Sequence, residues 1–245
     1  MAWTSLSIIL VGVLYSVDSV ILPLPPYLNA CKKGSPDFDE CVTREALNGL
    51  PGVLKGDRKY GIPKFNPLKI SAVKLETAGN LVINLKDVEI FGLDKTVLKK
   101  TKLDPYGQTL SVDFAVDNLV ILGKYDMDGK ILVLPLKGNG DCNITATDLD
   151  FKYKTTYKVT EKNGESHMYL DQQSLDFNST RFYFQFDNLF NGDPVLGPNT
   201  NKVLNDEWES VLMEIKPAIG EAVSAVASSI VNSISERVPY RFIVL

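Results

Sequence analysis

From Val203 to Arg237 the apolar residues recur at Leu204, Trp208, Val211, Leu212, Ile215, Ile219, Ala222, Val223, Val226, Ile230 and Ile234. Steps of three and four are the period of one helix face. The run predicts a single amphipathic helix of roughly 50 Å at 1.5 Å per residue, closed by Val238-Pro239-Tyr240 and kinked at Pro217, which has no N–H to give. Asp206, Glu207 and Glu209 fall in its first turns, where acids complement the helix dipole. Between Leu68 and Phe186 the period is two. Leu110, Val112, Phe114 and Val116 alternate with polar neighbours, as do Phe151, Tyr153, Tyr157 and Val159, and then Phe182, Phe184 and Phe186. Strands with one apolar and one wet face make an antiparallel sheet that covers something apolar on one side. Asn163-Gly164 and Asp128-Gly129 are hairpin signals, because a type I′ turn needs positive φ at both central residues. The phase slips between Leu85 and Val88, which predicts a bulge near Lys86-Asp87. Ahead of the sheet, a short helix is expected to start at Pro36-Asp37-Phe38-Asp39, with Val42, Leu47 and Leu50 on its apolar side. Gly49 and Pro51 are expected to stop it.

The predicted class is α+β. A flat sheet is not long enough to cover such a helix, so the sheet must be highly curved and wrap around it. That geometry is a sleeve with an apolar interior, the shape of a carrier of greasy molecules. The expected lining comes from Trp208, Val211, Leu212, Ile215, Ile219, Val223, Val226 and Ile230 on the helix, and from Phe114, Tyr125, Tyr153, Tyr157, Phe182 and Phe184 on the sheet. Tyr125, Tyr153, Tyr157 and Trp208 carry polar atoms that could orient the head of a ligand. The alanines after Pro217, Ala218, Ala222, Ala225 and Ala227, either admit the sheet closely or leave room for the ligand.

Leu6 to Tyr15 has the length of a secretory signal core, with Val17 and Ser19 small at a cleavage after Ser19. Residues 1–19 are expected to be a signal peptide and residues 20–245 a single domain, secreted into an extracellular fluid. Asp18 interrupts the apolar segment before the ~20 residues that a membrane span needs, so no stable membrane insertion is expected. In an oxidising compartment, a bridge between Cys31 and Cys41 would close the short loop Lys32 to Glu40. Cys142 is then left over and is expected to be a buried free thiol. Asn143-Ile144-Thr145 and Asn178-Ser179-Thr180 are glycosylation acceptors, expected in accessible positions. A net charge of −4 with no dense basic stretch argues against nucleic acid as a partner.

Catalytic patterns are missing. The single histidine, His167, lies beside a hairpin turn among polar residues and is expected on the surface of a strand. One histidine rules out two-histidine metal sites, and no catalytic residues, metal or cofactor are expected. Gly138-Asn139-Gly140 lacks the third glycine and the helix of a dinucleotide site. Asp126-Met127-Asp128-Gly129 is too short for a calcium loop.

Several motifs occur together in a meaningful order. Leu119-Val120-Ile121-Leu122-Gly123-Lys124-Tyr125, Asp128-Gly129, Ile131-Leu132-Val133-Leu134-Pro135-Leu136 and Gly138-Asn139-Gly140 resemble the central signature of the insect takeout and haemolymph juvenile hormone-binding proteins. Asn188-Leu189-Phe190-Asn191-Gly192-Asp193, Leu196-Gly197, Leu204-Asn205, Trp208 and Val238-Pro239 look like its C-terminal signature. Gly61-Ile62-Pro63 and Asn66-Pro67-Leu68 match its entry segment, and Cys31 and Cys41 sit where its N-terminal bridge does. The resemblance implies a long helix wrapped by a curved sheet, related to tubular lipid-binding proteins. It also implies binding of a hydrophobic small molecule, a juvenile hormone-like terpenoid, fatty acid or similar lipid, without catalysis. Cys142 looks like half of a second disulfide found in some hormone carriers, and no fourth cysteine exists here, which favours the broader takeout-like group. A monomer is expected. The alternative is a secreted signalling protein with a filled core that meets an unidentified receptor through its surface.

Overall fold

The computed structural model describes residues 21–245; the expected signal peptide lies outside them. A seven-stranded antiparallel sheet carries the fold. Its centre is one long hairpin, β4 (Thr109–Ile131) against β5 (Leu134–Lys162), paired along its whole length from Thr109↔Thr156 to Ile131↔Leu134. Each long strand is flanked by two shorter ones in sequence. β3 (Val97–Asp104) pairs with the first part of β4 and β2 (Val82–Phe91) with the second, while β1 (Leu68–Glu76) lies outside β2. β7 (Arg181–Phe186) pairs with the first part of β5 and β6 (Glu165–Asn178) with the second. The expected bulge is present: β2 slips register against β4 between Lys86 and Glu89, and Asp87 has φ 50°. Further slips fall at Leu98/Lys100 and Thr155/Tyr157. Bulges bend strands, and this curvature lets the sheet close around a helix.

The turns divide. Asn163-Gly164 joins β5 to β6 with φ 53° and 79°, as expected. Asp128-Gly129 is not a turn. Gly129 lies inside β4 opposite Leu136, and a Cβ there would stand 2.4 Å from the Asn80 carbonyl oxygen. This glycine permits a close crossing of the β1–β2 connection, and the chain turns instead at Leu132-Val133.

The C-terminal run is two helices rather than one. α2 (Leu196–Asp206) begins where the Asp193 carboxylate accepts the N–H groups of Val195 and Leu196, and α3 (Trp208–Ser235) follows a single non-helical residue, Glu207. Asp206 therefore ends α2, and only Glu209 lies in the first turn of α3. α3 has 28 residues, about 42 Å at 1.5 Å each. It runs through Pro217; the carbonyl left without a donor is that of Met213, whose side chain is open to solvent.

α1 (Phe38–Lys55) also passes the expected stop. Gly49 and Pro51 lie within it, because the helix packs closely on the N-terminal segment. A Cβ on Gly49 would sit 2.2 Å from Leu28 Cδ2, and one on Gly52 would sit 2.8 Å from the Tyr27 ring. Its buried positions are Phe38, Glu45 and Gly49, while Leu47 is exposed. Cys31 and Cys41 are bridged, and Cys31 pairs with Val244, which ties the chain's end to α1. Cys142 is a buried free thiol.

Candidate functional site

Alternation along four strands sends a continuous ladder of aromatic rings to the inner face of the sheet. Phe114 stacks on Phe151 at 4.7 Å, Phe151 meets Phe177 at 5.6 Å, and Phe177 meets Phe182 at 6.5 Å. Phe182 lies 5.9 Å from Phe184 and 6.4 Å from Trp208. Phe184 then meets Phe186 at 6.5 Å, and Phe186 meets Tyr125 edge-on at 5.0 Å. Five expected lining residues thus come together, and Phe151, Phe177 and Phe186 join them from outside the expected set. On the helix, Val211, Leu212 and Ile215 are buried against the same cluster, with Ile219 half-buried beside it.

The second half of α3 is different. Ile219, Ala222, Val226, Ala227, Ile230 and Val231 all keep accessible surface, and Val223 is 38% exposed. Val223, Val226 and Ile230 belong to none of the packed clusters. Ile219 and Ala222 touch the main cluster and Ala227 and Val231 the cluster of Tyr153 and Tyr157, so the packing here is looser than in the first half but not absent.

Polar groups line this loose half. Tyr153 and Tyr157 form a separate cluster with Met168 and Leu170 rather than joining the ladder. The Tyr153 hydroxyl donates to Gln173 Oε1 at 2.5 Å, and Gln173 Nε2 donates to the hydroxyl of Ser228 on α3. The Leu170 N–H donates to Asn232 Oδ1 at 3.1 Å. Tyr157 Oη is 3.2 Å from Tyr240 Oη, and burial with this contact raises its pKa. Tyr125, in contrast, is spent on structure. Its hydroxyl donates to the Asp187 carbonyl at 2.6 Å, and burial followed by Asp187 pushes its pKa up to about 12.

His167 is buried and not on the surface. Nδ1 lies 2.6 Å from the Ser235 carbonyl oxygen. A carbonyl can only accept, so Nδ1 carries the proton. The donor that would serve Ser235 in a continuing helix is residue 239, a proline with no N–H, and the histidine takes its place. That proline four residues on was the available signal. The thiol of Cys142 is pushed up to about 11, by burial first and by Asp141 second, which leaves it protonated and poorly nucleophilic near neutral pH. Among the described residues, no group of three or more His, Cys, Asp or Glu side chains is placed to hold a metal.

Two of the family-like sequence motifs are packing devices. Gly138 and Gly140 seat the turn after β7: a Cβ on Gly138 would lie 2.9 Å from Leu189 Cα, and one on Gly140 would lie 2.5 Å from the Asp187 oxygen. In that turn Asn188, Phe190, Asn191 and Gly192 all have φ between 51° and 77°. Asn201 and Asn205, one turn apart on α2, each pair through the side-chain amide with the free edge of β7. Asn205 bonds both the N–H and the carbonyl of Phe184, and Asn201 both those of Phe186. A cleft of about 520 Å³ lies over this junction, lined by Asp187, Asp193, Pro198 and Asn201 among others. The acceptor asparagines Asn143 and Asn178 are both exposed.

The profile of the haemolymph juvenile hormone binding protein family matches residues 8–245. The circadian clock-controlled protein daywake of Drosophila melanogaster is 25% identical over 227 residues, 88% of this chain and 86% of that protein. A putative beta-carotene-binding protein of Schistocerca gregaria is 21% identical over 208 residues, 84% of this chain and 83% of that protein. The crystal structure of Takeout 1 from Epiphyas postvittana superposes with a TM-score of 0.74 at 23% identity, covering 89% of this chain and 99% of that one.

Proposed function

Since this chain belongs to the haemolymph juvenile hormone-binding protein family, we propose that it is a secreted carrier of one elongated hydrophobic small molecule, held between α3 and the inner face of the sheet. The cargo is a terpenoid, fatty acid or similar lipid, and no chemistry is done on it. The observation that carries this reading is the accessible apolar surface on the second half of α3, from Ile219 to Val231, beside a first half that is packed. Accessible apolar surface next to a few convergent polar groups supports a small-molecule site.

The arrangement also gives the cargo a direction. Its polar end belongs near Tyr153, Gln173 and Ser228, whose hydrogen bonds can be exchanged for bonds to an ester, carboxyl or carbonyl oxygen. Its hydrocarbon end runs towards the aromatic ladder. Burying a chain of ~15 carbons at ~0.8 kcal/mol per methylene gives about 12 kcal/mol gross, and association costs reduce this to micromolar or nanomolar affinity. The exposed Asn143 and Asn178 would carry glycans on a secreted chain.

The test is native mass spectrometry of the secreted protein before and after incubation with a terpenoid ester, a fatty acid and a quinone. A bound or captured species of one-to-one stoichiometry is expected. A protein that holds none and takes up none would refute the carrier.

A further inference from the structure

The central hairpin ends in an unusual way. Two-residue hairpin turns are built from Asn, Asp or Gly because their central residues need positive φ. Here the turn is Leu132-Val133, with Leu132 at φ 54°. The chain offers a conventional pair, Asp128-Gly129, a few residues earlier and runs past it. The result is an apolar point: Val133 is 94% exposed and Leu132 46% exposed. The turn is held, not loose, because the Leu132 N–H donates to Glu214 Oε2 on α3 at 2.7 Å. Strain kept in place by a specific partner points to function.

The tip leads inward. Ile131 and Leu136 behind it are buried in the same cluster as Tyr125, Phe186 and Val211, and Leu134 packs on it. An apolar path therefore joins the exposed point to the interior. Two side chains fall far short of the roughly 20–30 residues a side that a stable protein interface uses, and a convex point cannot enclose a partner. It can enter the acyl region just below lipid headgroups. The nearby charges are compatible with this: Lys130, exposed two residues before the tip, suits headgroup phosphates, Glu214 is engaged by the Leu132 N–H, and Asp128 pairs with Lys137 at 2.9 Å.

We propose that the Leu132–Val133 tip docks transiently on a phospholipid bilayer, so that cargo enters or leaves the carrier by contact with the membrane. The cargo-transfer half rests on the carrier reading; the docking half does not.

Two measurements on the full secreted chain separate them. In the first, Val133→Trp is mixed with phosphatidylcholine vesicles whose acyl chains are brominated. Quenching of the new tryptophan is expected, and no quenching at any vesicle concentration would overturn docking whatever the protein carries. In the second, a fluorescent fatty acid is transferred from vesicles to the protein. The wild-type rate should rise with vesicle concentration. The Leu132→Gly/Val133→Ser variant, whose glycine suits the positive φ and preserves the fold, should transfer at least about tenfold more slowly, the loss corresponding to one or two exposed apolar side chains. Its affinity for the probe added from solution should be unchanged. A rate independent of vesicle concentration, equal transfer by the variant, or a dimer of this chain that the variant dissolves would overturn the proposal. Failure of the wild type to bind the probe from solution, with quenching intact, would remove the carrier and leave the docking tip standing.

Discussion

Enlarging one side chain in each half of α3 tests whether the loose half is a hollow. Leu212 is buried in the main cluster, whereas Val226 is half-buried and touches none of the clusters. Leu212→Trp pushes extra volume into filled space, which costs typically about 1–3 kcal/mol. At about 2–4 °C per kcal/mol for a domain of this size, unfolding should fall by about 2–12 °C. If the side of Val226 is open, as the carrier reading requires, Val226→Trp should cost less than about 1 kcal/mol, because no packed neighbour would have to move. The binding readouts should invert. Val226→Trp occupies the space meant for the cargo and should abolish displacement of a fluorescent fatty-acid probe. The assay pairs thermal unfolding without ligand with probe titration, on the same preparations. Equal destabilisation by the two variants would show that Val226 is ordinary core. Undiminished probe binding by Val226→Trp would show that the cargo, if any, lies elsewhere. Val223 is a poorer position for this experiment, because a residue 38% exposed tolerates enlargement whether or not a ligand lies against it.

Two further predictions concern stability. Asn205→Ala leaves the N–H and carbonyl of Phe184 without their partners, so urea unfolding should show a loss of about 1–3 kcal/mol; a change within about 0.5 kcal/mol, the scale of ordinary surface substitutions, would mean water serves this edge equally well. The Glu45 carboxylate accepts both the N–H and the side-chain amide of Asn29 at 3.0 Å, and chiefly the amide holds its pKa below the usual carboxylate range. Its contribution is present above the unfolded value of about 4.3 and is lost as pH falls through the lower folded value. The stability gap between the wild type and Glu45→Gln should therefore shrink as pH drops from 6 towards about 3, and parallel curves would contradict this.

The parts of this fold visible in the chain are those set by local chemistry. The helical period of Val211, Leu212, Ile215 and Ile219, the alternation along β4, β5 and β7, the Asn163-Gly164 turn and the slip at Asp87 all express preferences of the residues themselves. The misplaced elements are those decided by distant neighbours. Gly129 is a glycine because Asn80 crosses it, and Gly49 and Gly52 are glycines because Leu28 and Tyr27 lie on them. Read locally, each looks like a turn or a stop. His167 looked exposed for a related reason: its neighbours in sequence are polar, but its partner is the end of α3, 68 residues away. Likewise, the aromatic ladder could be anticipated strand by strand, but the order in which its rings meet depends on pairing across β4, β5, β6 and β7.

A helix with accessible apolar surface should be drawn onto the sheet, since closer packing would remove that surface from water. The structure answers with polar links. Gln173 to Ser228, Leu170 to Asn232 and His167 to Ser235 tie β6 to the second half of α3 at fixed distances. Moving the helix closer to the sheet would disturb these bonds among partly buried groups, at a cost comparable to the apolar surface gained. The first half has one ion pair to β6, Lys216 to Asp176 at 2.6 Å, and otherwise packs Val211, Leu212 and Ile215 on the aromatic cluster. One half of α3 is therefore anchored chiefly by burial and the other chiefly by hydrogen bonds to β6, which leave part of the apolar surface between Ile219 and Val231 uncovered.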